Sequence, residues 1–199
     1  MEAKAKNPVD LLQDQSAPAL LEAYFEFNHL KQLYRQGWLQ RGLPKDRCES
    51  VAEHTFGVAV LAFFLAEAHF PELDAGRVLR LALLHDFGEI FAGDIIPGDA
   101  VPAAEKHRLE RQAVVRVFGK LAHGERYLAL WEEYEQEGTA EARFVHQVDR
   151  LEMALQASVY AMQGMVDPAG FFASARLALS DPPLVALEQA AEAATKRQP

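Results

Sequence analysis

The stretch LALLHDFGEIFAGD, residues 81–94, decides how this chain is read. Its first four residues continue an apolar pattern through Val78, Leu79, Leu81, Leu83 and Leu84 whose spacing is helical. Asp74 is the expected N-cap of that helix, which should run to Asp86 or beyond. His85 and Asp86 stand where the apolar run stops. Adjacent side chains on an α-helix point about 100° apart, so the two can face one cation only at a helix end or in a distorted turn. Glu89 lies four residues after His85, on the same helical face. Asp94 follows in a Gly-Asp turn, within a Gly- and Pro-containing segment, residues 90–101, expected to form a short turn and a structured loop.

Outward from this stretch the helical spacing recurs. Residues 17–36 carry Leu20, Leu21, Tyr24, Phe25, Phe27, Leu30 and Leu33 at helical intervals, with Gly37 as an interruption and 42–49 as a loop. Ser50-Val-Ala-Glu53 is a capping box, so a helix should run from Val51 to about His69, ended by Pro71. Pro102 suits the first turn of a helix reaching about Leu121. A further helix is expected near 125–136, then a break at Gly138. Thr139 can cap a long helix to about Gln163. Short helices around 171–179 and 184–196 flank Asp181-Pro182-Pro183. No sustained period-two alternation bounded by hairpin turns occurs, so strands are not expected. The reading is one all-α domain over 17–180, a flexible N-terminal arm over 1–16, and a C-terminal helix or frayed tail over 181–199.

Composition narrows the function classes. Half of the 199 residues are hydrophobic and a quarter charged, which suits a soluble globular protein with a sizeable core. One cysteine, Cys48, excludes an intrachain disulfide and a multi-cysteine zinc site, and fits a reducing, cytoplasmic setting. The 20 basic and 29 acidic residues give a net charge of −9, a field that repels nucleic acid. No secretory signal is expected in the polar first ten residues. The longest wholly apolar run, Phe56 to Ala66, is shorter than the roughly 20 residues a bilayer requires. It reads as a buried core helix, and no membrane partner is expected.

Taken alone, His85 can be a core histidine bonded to a carbonyl and Asp86 a helix-end carboxylate. Their surroundings in the sequence add a second meaning. His54 sits near the start of a helix whose next residues are almost all apolar, where a lone imidazole is costly to bury. Asp149 lies within the helix FVHQVDRLEM, residues 144–153. Several elements can thus deliver two imidazoles and several carboxylates, a mixed N/O set suited to Mn, Fe, Co, Ni, Zn or Mg. His146, one turn before Asp149, can imitate a ligand. His29, His69, His107 and His123 have no comparable context and read as surface or packing residues.

The chain resembles the HD-domain metal-dependent phosphohydrolases, most closely their 5′-deoxynucleotidase branch. The matching segments are LYRQGW (33–38), ESVAEH (49–54), LHDFGE (84–89), GDIIPGD (93–99), EKHR (105–108) and FVHQVD (144–149), in order and at preserved intervals over about residues 20–160. The resemblance implies an all-helical HD fold with a divalent metal ion held by His54, His85, Asp86 and Asp149. It implies that Glu89 and Asp94 are catalytic acids or bases, or hold a second cation with the carbonyl of Ile95. Arg35 is the expected phosphate-binding and catalytic cation, because a guanidinium offers planar paired donors to a dianion. Trp38 is expected to pack on the sugar or base.

The implied activity is hydrolysis of 2′-deoxynucleoside 5′-monophosphates to deoxynucleoside and phosphate by a cytoplasmic homodimer. Alternatives are another nucleotide substrate, such as a cyclic nucleotide or an alarmone, or a non-catalytic metal-containing binding protein.

Overall fold

The computed structural model describes residues 2–12 and 16–196. Its helices are α1 (Ala19–Phe27), α2 (Gln36–Gln40), α3 (Val51–His69), α4 (Ala75–Leu84), α5 (Glu89–Ala92), α6 (Ala103–Phe118), α7 (Gly124–Glu135), α8 (Ala140–Met162), α9 (Ala169–Ala178) and α10 (Pro182–Thr195). Short 3-10 helices occupy Pro8–Leu12, Asn28–Lys31 and His85–Gly88. Among the described residues, extended pairing is limited to two isolated bridges, Ala3 with Leu33 and Tyr34 with Ser50. The fold is all-α, as the hydrophobic periodicity implies.

Local chemistry accounts for most of the boundaries. The capping box forms as expected: the Glu53 amide donates to Ser50 Oγ at 3.3 Å, and the Ser50 amide donates back to Glu53 Oε2 at 2.6 Å. Asp74 Oδ1 accepts from the Arg77 amide at 2.9 Å, and Thr139 Oγ1 from the Ala142 amide at 3.1 Å. These three side chains satisfy amides that a helix start leaves without a carbonyl partner.

The expected single helix over 17–36 is divided. After α1 the chain tightens into the 3-10 turn at Asn28–Lys31 and then extends. Residues 33–35 pair with 49–51 instead of continuing helically: Val51 N donates to Leu33 O at 3.0 Å and Arg35 N to Glu49 O at 3.2 Å. Gly37 lies inside α2 rather than breaking a helix. Within the expected N-terminal arm, Lys4 N donates to Gln32 O at 2.6 Å and Glu2 N to Gln36 Oε1 at 3.0 Å. Residues 1 and 13–15 of that arm lie outside the described residues. At the other end α10 continues to Thr195, and the part of the expected tail at 197–199 also lies outside them.

The chain forms two compact units. The first comprises residues 1–55 and 84–132, the second residues 56–83 and 133–199. In the first, Ala23, Leu30, Leu33, Val51, Ile90, Val114, Val117, Phe118 and Trp131 make one buried cluster. Phe87 stacks on Phe118 with ring centroids 5.5 Å apart and meets Phe27 at 5.9 Å, so the turn that carries His85 and Asp86 is anchored in this core. In the second unit, Ala154, Phe172 and Ala175 pack α8 against α9, and Phe70 meets Phe144 at 4.7 Å.

Helix α3 is a core helix on one face only. Val58, Ala59, Ala62, Leu65 and Ala66 are buried, whereas Phe56 and Phe64 are 69% and 63% exposed. By length and composition alone it is apolar enough to cross a membrane, although its longest uninterrupted apolar run is shorter than a span. Its burial on one face is what the core helix of a water-soluble domain shows too.

Candidate metal centre and phosphate site

The distorted turn required for His85 and Asp86 is present. Helix α4 stops at Leu84 and the next four residues, His85–Gly88, form a 3-10 turn. The pair therefore stands at a helix end, where the two side chains reach one point. His85 Nε2 lies 3.2 Å from Asp86 Oδ2. His54, supplied by the first turn of α3, places its Nε2 3.8 Å from the same oxygen. The two imidazoles meet edge to face at 5.5 Å and are 1% and 4% exposed.

Ligand atoms bound at about 2.0–2.2 Å around one cation are roughly 3–4 Å from each other, depending on the angle between them, so this spacing fits a shared metal ion. Asp86 Oδ2 is buried and accepts no hydrogen bond among the described residues. A buried carboxylate oxygen facing two imidazoles is an orphan that a cation satisfies. Two imidazoles and a carboxylate are a donor set that a divalent metal ion takes, and the set does not by itself choose among the candidate ions.

Two further carboxylates stand beside it. Burial raises the pKa of Asp86, but the neighbouring His85, then His54 and Arg35, outweigh it and hold the carboxyl well below its ordinary range. Glu89 goes the other way. Burial, reinforced by the charges of Asp86 and Asp94, raises its pKa well above that of an ordinary glutamate. Its Oε2 is also buried without a hydrogen bond among the described residues. Two neighbouring carboxyls driven apart in this way suit different proton roles.

Asp94 is engaged on both oxygens. Its Oδ1 accepts from Arg35 Nη1 at 2.9 Å, and its Oδ2 accepts a short hydrogen bond from the Gln36 amide at the start of α2. The extended backbone at Arg35 makes this possible by aiming the guanidinium at Asp94. Gly93, at φ +79°, supplies the left-handed turn that presents Asp94, and Ile95 is buried just after it.

The remaining candidates fall as follows. Trp38 is only 2% exposed and donates its indole N–H to Glu49 Oε1 at 2.7 Å. Asp149 lies on α8 in the second unit, with its Oδ2 3.7 Å from Arg150 Nε. His146 is otherwise occupied: its Nε2 donates to the Tyr134 carbonyl at 2.8 Å and its ring stacks on Tyr134 at 3.9 Å. His29 donates to the Ile90 carbonyl at 2.6 Å, and His107 stacks on Trp131. All three pack in the fold; for His29 and His107 this is the surface or packing reading of the sequence, whereas His146 is the one that can imitate a ligand there.

Two contributors carried no role in the sequence reading. The Gln36 amide on Asp94 is a backbone group, invisible to any residue pattern. Gly88 permits a close approach: a Cβ there would lie 2.5 Å from Glu110 Cβ and 3.0 Å from Glu110 Cα. Helix α6 therefore rests directly on the turn that carries the site.

The all-helical fold, with His54 of α3 brought to His85 and Asp86 on the turn after α4, defines an HD-domain protein. The model of the family described as "HD domain" matches residues 27–181, and the chain belongs to this family. It is 40% identical to the 5′-deoxynucleotidase HDDC2 of Bos taurus over 156 residues, covering 77% of this chain and 74% of that protein. It is 41% identical to the 5′-deoxynucleotidase HDDC2 of Homo sapiens over 146 residues, 72% of this chain and 69% of the relative. Among solved structures, a predicted metal-dependent phosphohydrolase of Magnetospirillum magnetotacticum MS-1 superposes with a TM-score of 0.69. That match has 34% identity and covers 90% of this chain and 92% of the other.

Proposed function

We propose that the protein is a metal-dependent phosphohydrolase that cleaves 2′-deoxynucleoside 5′-monophosphates to deoxynucleoside and phosphate. The observation that carries this reading is the convergence of His54 Nε2 and His85 Nε2 on one buried Asp86 oxygen, with Glu89 and the Arg35–Asp94 pair beside it. The named relatives support the substrate class.

His54, His85 and Asp86 are the proposed metal ligands in the first unit. Asp149 is the proposed fourth ligand, on the strength of its motif, FVHQVD. The bound ion supplies charge for the phosphate and a lowered pKa for a coordinated water. Arg35 holds the phosphate through its paired donors and screens charge as the phosphorus–oxygen bond breaks. Glu89, with its raised pKa, is suited to take the proton of the attacking water. Asp94 positions Arg35 and serves the leaving 5′ oxygen. A second cation at Glu89, Asp94 and the Ile95 carbonyl requires Arg35 to leave Asp94, which frees the guanidinium for the substrate. Trp38 acts in this scheme as the buried floor that fixes Glu49 and the Arg35 turn, not as an open stacking surface.

We extend the proposal to a cytoplasmic homodimer. The buried lone Cys48 suits a reducing compartment, and exposed Phe56 and Phe64 offer apolar surface to a second copy. The test of the site is Asp86→Ala. Metal content measured on the purified variant and its phosphate release should both fall to background, while far-UV circular dichroism stays helical. Full activity in a variant shown to be metal-free contradicts the proposal.

A further inference from the structure

We propose that Lys106 is a second phosphate-holding residue of this site. The inference rests on the phosphohydrolase reading above for its substrate, but its geometry is independent of that reading. Lys106 sits in the first turn of α6, four residues before Glu110 and on the same helical face. Glu110 is the residue that lies against Gly88, and Gly88 stands between Asp86 and Glu89 in the chain. The same contact that seats α6 on the turn thus carries Lys106 to the carboxylate side of the site.

The side chain is 37% exposed, and its ammonium lies 3.5 Å from Glu110 Oε1, longer than a direct charged hydrogen bond. Its charge is felt by the site: after burial, which lowers its pKa, Glu110, Glu89, Asp86 and Asp94 in that order raise it. By contrast, Arg35 is already held by Asp94 at 2.9 Å. Besides the metal ion, a phosphate dianion arriving among these carboxylates would meet one guanidinium already committed to Asp94, so a further cation strengthens its hold. Lys106, loosely paired and able to swing its ammonium on a flexible stem, supplies it.

A plain structural role for Lys106, an ion pair with Glu110, makes a different prediction, and the test separates the two. Inorganic phosphate is titrated into the metal-loaded protein by calorimetry, for wild type, Lys106→Met, Lys106→Arg and Glu110→Gln. The affinity of a deoxynucleoside, which has no phosphate, is measured alongside. We expect Lys106→Met to bind phosphate about tenfold or more weakly, with deoxynucleoside affinity, metal content and melting temperature unchanged. Lys106→Arg should restore most of the phosphate affinity. Glu110→Gln should leave it intact or tighten it, because the cation is kept and its competitor removed.

Phosphate affinity unchanged in Lys106→Met overturns the inference, as does a wild type that binds no phosphate or a Glu110→Gln variant that loses affinity like Lys106→Met. Wild-type turnover of deoxynucleotides is scored separately. Its absence, with Lys106-dependent phosphate binding intact, refutes the substrate reading and leaves this inference standing.

Discussion

Replacing Gly88 by alanine tests whether the site depends on the close approach of α6. Gly88 has helical backbone angles, φ −59° and ψ −30°. In open space Gly→Ala at such a residue stabilises a fold by about 0.4–1 kcal/mol, by restricting the unfolded chain. Here the new Cβ would lie 2.5 Å from Glu110 Cβ, 2.9 Å from its Cγ and 3.0 Å from its Cα. An ordinary carbon–carbon contact is about 3.5–4.0 Å, so helix and turn must separate by roughly 1 Å. Two of the three atoms belong to the helix backbone or its first side-chain carbon, so no rotamer change relieves the clash. Overpacking of this kind costs about 1–3 kcal/mol, which outweighs the entropic gain. For a chain of this size that lowers the melting temperature by roughly 2–10 °C. The separation also moves Asp86 and Glu89, so metal affinity should fall with it. The assay is thermal unfolding followed by circular dichroism, with metal content measured on the same samples. Gly37→Ala is the control, because a Cβ there meets nothing within 4 Å. A Gly88→Ala protein as stable as wild type, with full metal content, refutes the argument.

Three more perturbations have defined outcomes. Arg35→Met leaves Asp94 without its guanidinium partner and the substrate without a phosphate clamp, so kcat/KM for a deoxynucleotide should fall at least about tenfold, or roughly 1.4 kcal/mol, in steady-state kinetics. Ser50→Ala removes the capping box of α3 and should cost about 1 kcal/mol, a drop of roughly 2–4 °C in melting temperature. Burial raises the Glu133 pKa, but its bonds to Arg77 and Thr139 outweigh this and leave it below the ordinary glutamate value of 4.5. Its contribution is therefore present above pH 4.5 and is lost as pH falls through the lowered folded value. The melting-temperature gap between wild type and Glu133→Gln should be largest near neutrality and close on acidification.

The sequence was informative wherever one side chain decides a local structure. Ser50, Asp74 and Thr139 each cap the helix expected of them, and Val51–His69 has the boundaries its capping box and Pro71 imply. The need for a helix end or a distorted turn at His85-Asp86 follows from helix geometry, and α4 ends at Leu84, immediately before the pair. What stayed hidden depends on contacts between distant segments. The break after Phe27 arises because residues 33–35 pair with 49–51, a choice no local propensity records. The burial of Trp38 follows from its bond to Glu49, eleven residues on. The capture of Asp94 by a backbone amide and the seating of α6 on Gly88 likewise exist only in three dimensions. Lys106 lay within a recognised segment, but its chemistry becomes readable only once Glu110 is seen against the turn.

The most direct test of the central claim is phosphate release from a nucleotide panel after EDTA treatment and add-back of Mg, Mn, Co, Ni, Fe or Zn. The panel holds deoxynucleoside and nucleoside 5′-monophosphates, a cyclic nucleotide and an alarmone. The account predicts no release from the stripped protein and restored release with metal, favouring the deoxynucleoside monophosphates. Release that persists without metal, or metal-restored release confined to the other esters, contradicts it.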